Sequence, residues 1–330
     1  MLSFSAVVLS AFILPLNTLS FAGYSLGLWA PGEHGTWTSD QPQNVPRKNN
    51  EGRLIGLMSA DEISDVFEDL KEASLEERVN VWSGLFLSTP YHLDPLGEGY
   101  FGGRDVNPLL DFTKVDCLSF VEQVMALAFS DDYDEVLPWL MKFRYRDGKP
   151  RFKNRYYTMI KGWILAHIKA GWLEDVTRQT VPADAIRTEK ASLKPRSYWE
   201  RRHINRFKTL GKWAPTGTAV IDYIPISYMV EESVDLPVPA LMHIVSEMKH
   251  ASPYLITHTG LLIKKDDGVY FRHASRSPER LRVEDRAVKE YLETLGDFYE
   301  KEGRRRVLGV NISRIAGPGN RNHLQREEPL

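Results

Sequence analysis

The sequence predicts an α+β fold in which helices come first and strands follow. In the first half of the chain, apolar residues recur at the three- and four-residue spacing of amphipathic helices. In the second half, runs rich in Val, Ile, Tyr and Phe are bounded by turn residues, which is typical of strands. The two kinds of segment are segregated rather than alternating, so the pattern does not indicate βαβ units.

Bulk composition favours a globular protein and excludes some function classes. The chain has 330 residues, of which 42% are hydrophobic and 11% aromatic, enough for a sizeable core. Its formal net charge is −2 at pH 7, which argues against a basic nucleic-acid binder, and no nucleic-acid partner is expected. It has 1 cysteine, so no intramolecular disulfide can form.

Residues 1–22 have the form of a secretory signal peptide. They contain no charged side chain, and an apolar stretch from Phe4 to Leu16 is followed by the small residues Ser20 and Ala22. We therefore expect cleavage after Ala22 and an exported, periplasmic protein. The apolar run is shorter than the roughly 20 residues that a membrane span needs, although an uncleaved anchor and a buried helix remain alternatives.

The remainder is predicted to form one domain between two flexible ends. Residues 23–53 are predicted as a polar tether, residues 54–315 as the domain and residues 316–330 as a flexible tail. Within the domain, residues 178–212 carry ten Lys or Arg against three acids and are interpreted as a basic insertion. This insertion would contact an anionic wall polymer or a membrane surface, or it would simply be a solvated segment.

The helical elements are marked by their N-termini. Ser59–Glu62 and Ser74–Glu77 both fit the capping box, in which a hydroxyl and a carboxylate satisfy free backbone N–H groups. A third helix begins after Asp116, and a fourth runs from Tyr157 to Ala170. Residues 88–115, rich in Gly, Pro and Asp, are predicted as a long loop, and loops of this length are often functional.

The strand-like segments lie in the last third of the chain. Strands are predicted over Ala219–Ile224, Leu255–Ile263 and Val269–His273, and Asp266–Gly268 is a turn that joins the last two into a hairpin. A closing helix is predicted from about Glu284 to Leu295.

Cys117 is the candidate nucleophile. Asp116 suits the N-cap, which places Cys117 in the first helical turn, where the helix dipole is expected to lower the pKa of the thiol. In an oxidising compartment a solitary thiol is a liability unless it has a use. The alternative is a buried cysteine that serves only as a small apolar side chain.

His258 and His273 are the candidate partners of Cys117. They lie on the two strands of the predicted hairpin, and an antiparallel pair can bring them onto one face a few residues out of register. His258 would then take the thiol proton while His273 orients the imidazole. Each histidine alone could instead be a hydrogen-bonded strand residue. No metal-binding motif or phosphate-binding glycine loop is present in the sequence, so no metal or cofactor is expected.

Several blocks of sequence carry a resemblance to a known family. The chain resembles the NlpC-type superfamily of papain-like cell-wall cysteine hydrolases, and within it the N-acetylmuramoyl-L-alanine amidase-like branch. The similar blocks are TPYHLDPLGEG (89–99), VDCLSFVEQVMALA (115–128), FRYRDG (143–148), DYIP (222–225), HTGLLI (258–263) and FRHAS (271–275).

The resemblance implies a papain-like fold in which a helix-borne cysteine packs on an antiparallel sheet. It implies a Cys-His-His triad of Cys117, His258 and His273, with Tyr91 and the backbone N–H of Cys117 on the oxyanion side. The implied substrate is a muropeptide or peptidoglycan fragment, cut at the amide between N-acetylmuramic acid and L-alanine.

Two other functions remain open at this point. One is a γ-D-glutamyl endopeptidase that uses the same triad to cut within the stem peptide. The other is a papain-fold module that binds cell wall through its basic insertion without turnover.

Overall fold

A computed structural model describes residues 53–193, 216–247, 255–301 and 306–318. The predicted signal peptide with its cleavage site after Ala22 and nearly all of the tether lie outside the described residues. So do residues 194–215, which include the end of the basic segment, and residues 319–330 of the predicted tail.

One antiparallel sheet forms the centre of the described structure. Its strands are β1 (Leu173–Asp175), β2 (Arg187–Leu193), β3 (Gly217–Pro225), β4 (Ala240–Ser246), β5 (Ile256–Lys265), β6 (Gly268–Ala274), β7 (Val283–Ala287) and β8 (Val307–Ile315). The strand order is β2-β3-β8-β4-β5-β6-β7, and β1 pairs with the end of β8. The pairings between neighbouring strands are antiparallel.

Helices precede most of the sheet, as the sequence predicts. They are α1 (Ala60–Asp69), α2 (Leu75–Gly84), α3 (Cys117–Phe129), α4 (Val136–Arg144), α5 (Leu165–Lys169), α6 (Thr177–Thr180), α7 (Ile226–Glu231) and α8 (Val288–Lys301). Both predicted capping boxes are formed, at the starts of α1 and α2. The predicted fourth helix contains a π-helical stretch, Met159–Ile164, which continues into α5. The mixed α+β class is therefore confirmed.

The core divides into two apolar clusters. One contains buried residues of α1 to α4, such as Trp82 and Phe120, together with Leu261 of β5. The other contains Phe271 of β6 and Leu292 of α8. Burying one such side chain typically contributes about 1.5–3 kcal/mol, so both clusters stabilise the sheet on which the histidines lie.

The predicted closing helix is wrong at its start. Residues 283–287 form β7, which pairs with β6 from Ala274↔Val283 to Tyr270↔Ala287, and the helix begins only at Val288. The strand is specified by this cross-strand pairing, which the local sequence pattern does not report.

The described part of the basic segment belongs to the sheet edge. Arg178 lies in α6, where its guanidinium bonds Asp222 at 2.6 Å, and β2 pairs with β3 along its whole length. Within the described ranges, no helix is long and apolar enough to cross a membrane.

Candidate active site

Cys117 is the first residue of α3, and the preceding residue caps that helix. The Asp116 carboxylate accepts the backbone N–H of Ser119 at 2.7 Å, and the Ser119 hydroxyl accepts the backbone N–H of Asp116 at 2.8 Å. This reciprocal cap fixes the entry of the chain into the helix. It also leaves Cys117 in the first turn, where backbone N–H groups have no partner within the helix.

The thiol of Cys117 lies against β5. The backbone N–H of Thr259, the residue after His258, donates to the sulfur and lowers its pKa, but withdrawal of the thiol from water outweighs this bond. Burial, followed by the negative charge of Asp116, raises the pKa of Cys117 to about 12. The backbone N–H groups of Leu118 and Cys117 at the helix start do lower this pKa, as the sequence predicts, but desolvation exceeds their effect and the net shift is upward. The thiol is protonated at neutral pH and needs a base to become a nucleophile.

The structure brings the two predicted histidines together. Nε2 of His258 lies 2.8 Å from Nδ1 of His273, with the rings nearly perpendicular. The pairing of β5 with β6 runs from Leu261↔Arg272 to the turn, so the register continued by one residue sets Gly260 opposite His273. A Cβ at Gly260 would lie 2.6 Å from the Arg272 carbonyl oxygen and 2.8 Å from Cβ of His273. Glycine is therefore required two residues after His258 for the histidines to meet.

Both imidazoles are neutral at neutral pH. Burial, followed by the positive charge of Arg276, lowers the pKa of His258 to about 4. The pKa of His273 lies well below its usual range, first because of burial and then because of His258, Arg286 and Arg280. Within the described residues, His258 uses only Nε2 in a hydrogen bond. Its Nδ1 is therefore available to accept a proton.

Tyr91 lies on the loop that precedes α3. Burial, and after it the charges of Cys117 and Asp116, raise the pKa of its hydroxyl, whereas Arg276 lowers it. The Tyr91 hydroxyl and the Cys117 sulfur are thus close enough to interact electrostatically. The backbone of Tyr91 is fixed by its N–H, which donates to the Leu281 carbonyl at 2.7 Å. A phenol that remains protonated is a hydrogen-bond donor beside the thiol.

Residues 88–115 contain no helix or strand, and ion pairs fix this loop to the body of the protein. The backbone N–H of Asp94 donates to the Asp116 carboxylate at 3.0 Å, which ties the loop to the cap of α3. Arg155 pairs with Asp94, and with Asp105 at 3.2 Å. The loop that carries Tyr91 is thereby fixed against the start of α3.

A fully buried ion pair also contacts this loop. Glu122 of α3 pairs with Arg144, whose Nη2 donates to the Leu96 carbonyl at 3.0 Å. The indole Nε1 of Trp163 donates to Glu122 at 3.0 Å. This pair is not predicted from the sequence. A carboxylate in an otherwise apolar helix, followed by an arginine 22 residues later, was the available signal.

Two more residues of the site, one that bonds the thiol and one near Tyr91 and His258, were not predicted. Thr259 supplies the N–H to Cys117, and its hydroxyl bonds Nδ1 of His243 on β4 at 2.9 Å. Arg276 influences both Tyr91 and His258, and it follows the HAS block directly. A backbone donor leaves no trace in side-chain identity, so Thr259 could not be found from the sequence. Among the described residues, no group of three His, Cys, Asp or Glu side chains is placed to hold a metal ion.

Residues 81–296, well over half of the chain, match the family described as AmiA-like, N-acetylmuramoyl-L-alanine amidase-like. The chain belongs to this family. The matched range includes the cysteine, both histidines and Tyr91. No curated protein matches the chain.

Solved structures with the same fold are distant in sequence. A Legionella pneumophila protein of the family DUF1460 superposes with a TM-score of 0.66 at 21% identity, covering 78% of this chain and 94% of its own. An N-acetylmuramoyl-L-alanine amidase from Bacteroides uniformis gives 0.54 at 20% identity, covering 73% and 99%. A putative xylanase from Bacteroides fragilis gives 0.53 at 20%, covering 71% and 99%. These likenesses concern the fold, and chemistry must be argued from the site.

Proposed function

We propose that this protein hydrolyses the amide between N-acetylmuramic acid and L-alanine in peptidoglycan fragments, with Cys117 as the nucleophile. One observation carries the proposal. A cysteine at a helix start lies against the strand position next to His258, and His258 is itself hydrogen-bonded to His273. Family membership supports the choice of amide.

The protonation states fit a general-base mechanism. At neutral pH Cys117 is a thiol and His258 a neutral imidazole, since their pKa values are about 12 and about 4. As the sulfur attacks the amide carbonyl carbon, Nδ1 of His258 takes the thiol proton. The carbonyl π electrons move to oxygen, where the backbone N–H of Cys117 and the Tyr91 hydroxyl donate hydrogen bonds.

The second half of the reaction returns the enzyme to its resting state. The C–N bond breaks, and His258 gives its proton to the leaving amine of L-alanine. Water then attacks the thioester, His258 accepts a proton from that water, and the thiolate leaves and recovers the proton. His273 does not exchange a proton, because its role is to accept the Nε2–H of His258 and so orient the ring.

The bond that is cut is tested by digestion of a defined muropeptide followed by mass analysis. We expect the wild type to release a peptide that begins with L-alanine, and Cys117→Ala to release none. Cleavage within the stem peptide would instead identify a γ-D-glutamyl endopeptidase. Equal cleavage by the wild type and Cys117→Ala would contradict Cys117 as the nucleophile, and cleavage by neither protein would favour the binding module.

The fold and destination of the protein are part of the same proposal. An antiparallel sheet bearing two histidines, packed against a helix that begins with cysteine, supports placement among the papain-like NlpC-type hydrolases. The uncharged apolar N-terminus supports export to the periplasm. N-terminal sequencing of the protein recovered from the periplasm should begin at Gly23. A cytoplasmic protein that retains Met1 would contradict export.

The basic segment 178–212 is proposed to contact an anionic wall polymer. Its excess of Lys and Arg supports this contact. Binding of the full chain to purified wall polymer should weaken as salt rises. Replacing Arg201, Arg202 and Arg206 by Gln should weaken it further. Unchanged binding in that variant would contradict the contact.

A further inference from the structure

A carboxylate lies on the far side of His273 from His258. His273 of β6 and Glu284 of β7 are cross-strand partners in the sheet. Nε2 of His273 lies 3.8 Å from Oε1 of Glu284, slightly beyond hydrogen-bond distance. The residue His273 is 3% exposed, and this nitrogen has no hydrogen-bond partner among the described residues. A buried N–H without a partner is costly, so this arrangement calls for an explanation.

Glu284 is fixed in place by an arginine. Nη1 of Arg280 lies 3.1 Å from one carboxylate oxygen of Glu284 and 3.2 Å from the other. The Glu284 side chain is 14% exposed, so its charge is only partly screened by water. These two contacts with Arg280 keep the carboxylate directed along β7 beside His273.

The order of these groups determines which nitrogen of each histidine carries a proton. A carboxylate facing Nε2 of His273 favours the tautomer with a proton on that nitrogen. Nδ1 of His273 is then an acceptor, so His258 must donate from Nε2. Nδ1 of His258 is consequently unprotonated, which is the form that a general base requires. The opposite tautomer of His273 would reverse both assignments and set an N–H on Nδ1 of His258.

We propose that Glu284 is a positioning residue that sets the tautomers of His273 and His258 and stabilises the imidazolium formed when Cys117 loses its proton. The inference rests on the Cys117–His258 pair of the proposed function but on no particular substrate. No proton passes to His273 or Glu284, and the thiol proton resides on Nδ1 of His258 until the leaving amine takes it. The distance of 3.8 Å is expected to shorten as positive charge develops on the His258–His273 pair.

Glu284 is the negative group among several positive ones. The positive charges of Arg280 and Arg286 lower the pKa of His273 and so disfavour its protonation. Arg276 lowers the pKa of His258 in the same way. Without the Glu284 carboxylate, the imidazolium would be surrounded by three arginines and the ring of Tyr291, which lies 4.9 Å from the ring of His273. Loss of this carboxylate should therefore make proton transfer from Cys117 less favourable.

Alkylation of Cys117 by iodoacetamide tests the inference without a substrate. Cys117 is the only cysteine in the sequence, so the mass increase of the intact protein reports this thiol alone. The thiolate reacts, so the rate at neutral pH measures transfer of its proton. We expect Glu284→Leu to slow alkylation at least about tenfold, because the imidazolium loses the negative charge beside it. Glu284→Gln, which keeps an acceptor but not the charge, should show a smaller loss.

Glu279→Gln is the matched control. Glu279 is an exposed carboxylate on the connection between β6 and β7, next to Arg280, and its replacement should leave the alkylation rate unchanged. Nitrogen-15 NMR of the Cys117→Ala protein should show His273 protonated at Nε2 and not at Nδ1. A folded Glu284→Leu protein alkylated at the wild-type rate, or His273 protonated at Nδ1, would overturn the inference.

The outcomes separate this inference from the proposed function. Slower alkylation of the Glu284 variants, in a protein that cleaves no muropeptide, would sustain the role of Glu284 and defeat the amidase proposal. Muropeptide cleavage that is unaffected in Glu284→Leu would support the amidase proposal and contradict the role of Glu284.

Discussion

His243 and His258 lie on neighbouring strands, but His243 is fully buried, His258 is only partly buried, and their hydrogen-bond partners differ. Both are paired in the sheet of β4 and β5, one residue apart in register. Burial lowers the pKa of His243 to about 3, and burial with Arg276 lowers that of His258 to about 4. Neither carries a charge at neutral pH.

The difference lies in how many ring nitrogens are satisfied. Nδ1 of His243 bonds the Thr259 hydroxyl at 2.9 Å, and its Nε2 lies 3.3 Å from the Ser313 hydroxyl. His258 uses only Nε2, toward His273. A lowered pKa alone therefore does not identify a functional histidine. A ring nitrogen that has no hydrogen-bond partner among the described residues, on the residue before the one that bonds the thiol, is what distinguishes His258 as a candidate base.

The largest differences are expected when each of the two histidines is replaced by alanine. His258→Ala should lower kcat by about 10³-fold or more, since the thiol loses its base, with little change in unfolding. His243→Ala should lower the free energy of unfolding by about 2–4 kcal/mol, because it removes buried volume and leaves two hydroxyls unpaired. Steady-state kinetics and denaturant unfolding of both variants measure these effects. Equal loss of kcat in the two variants would contradict the division of roles.

His273→Ala should cost less than His258→Ala. The base remains, but its ring loses the acceptor that orients it, so we expect kcat to fall by about 10²-fold with a small change in KM. His273→Asn should recover part of the rate, since its amide oxygen can accept the Nε2–H of His258. Kinetics at several substrate concentrations separate kcat from KM. A rise in KM alone would show that His273 binds substrate instead of orienting His258.

Tyr91→Phe removes one hydroxyl beside Cys117. Loss of an oxyanion donor typically costs about 10²–10³-fold in kcat, and we expect the lower part of that range because the backbone N–H of Cys117 remains. Alkylation of Cys117 should be nearly unchanged, since no oxyanion forms in that reaction. A comparable fall in both assays would show that Tyr91 acts on the thiol and not on the transition state.

The smallest effect, measured per pH unit, is expected in the pH dependence of stability. The folded-state pKa of His243 is depressed, so the unfolded chain binds its proton first as pH falls below about 6.5. This histidine contributes stability that is fully present above that pH and is lost toward pH 3, at about 1.4 kcal/mol per pH unit. Denaturant unfolding at several pH values should show a slope reduced by that amount in His243→Gln. An unchanged slope would show that His243 is not neutral in the folded state.

Local chemistry made part of the structure predictable. Ser59, Ser74 and Asp116 each cap a helix at the expected residue, because a capping side chain and its backbone partner lie three residues apart. The hairpin that carries His258 and His273 was marked by strand-like runs around Asp267-Gly268. The resemblance predicted the family, which the match over residues 81–296 confirms.

Features that depend on distant contacts could not be predicted. β7 was predicted as helix, because its strand state depends on pairing with β6. The thiol pKa was predicted to fall because a helix start is visible in the sequence, whereas the burial that raises it is not. Glu284 was missed because its meaning comes from a cross-strand neighbour, His273.

The acyl group carried by Cys117 during turnover tests the central claim most directly. The wild-type protein is mixed with a defined muropeptide, quenched in acid within milliseconds and weighed intact, then digested to locate the adduct. The account predicts an N-acetylmuramoyl thioester on Cys117, which is absent in Cys117→Ala. A stem-peptide thioester, or product formation at the full rate in Cys117→Ala, would contradict it.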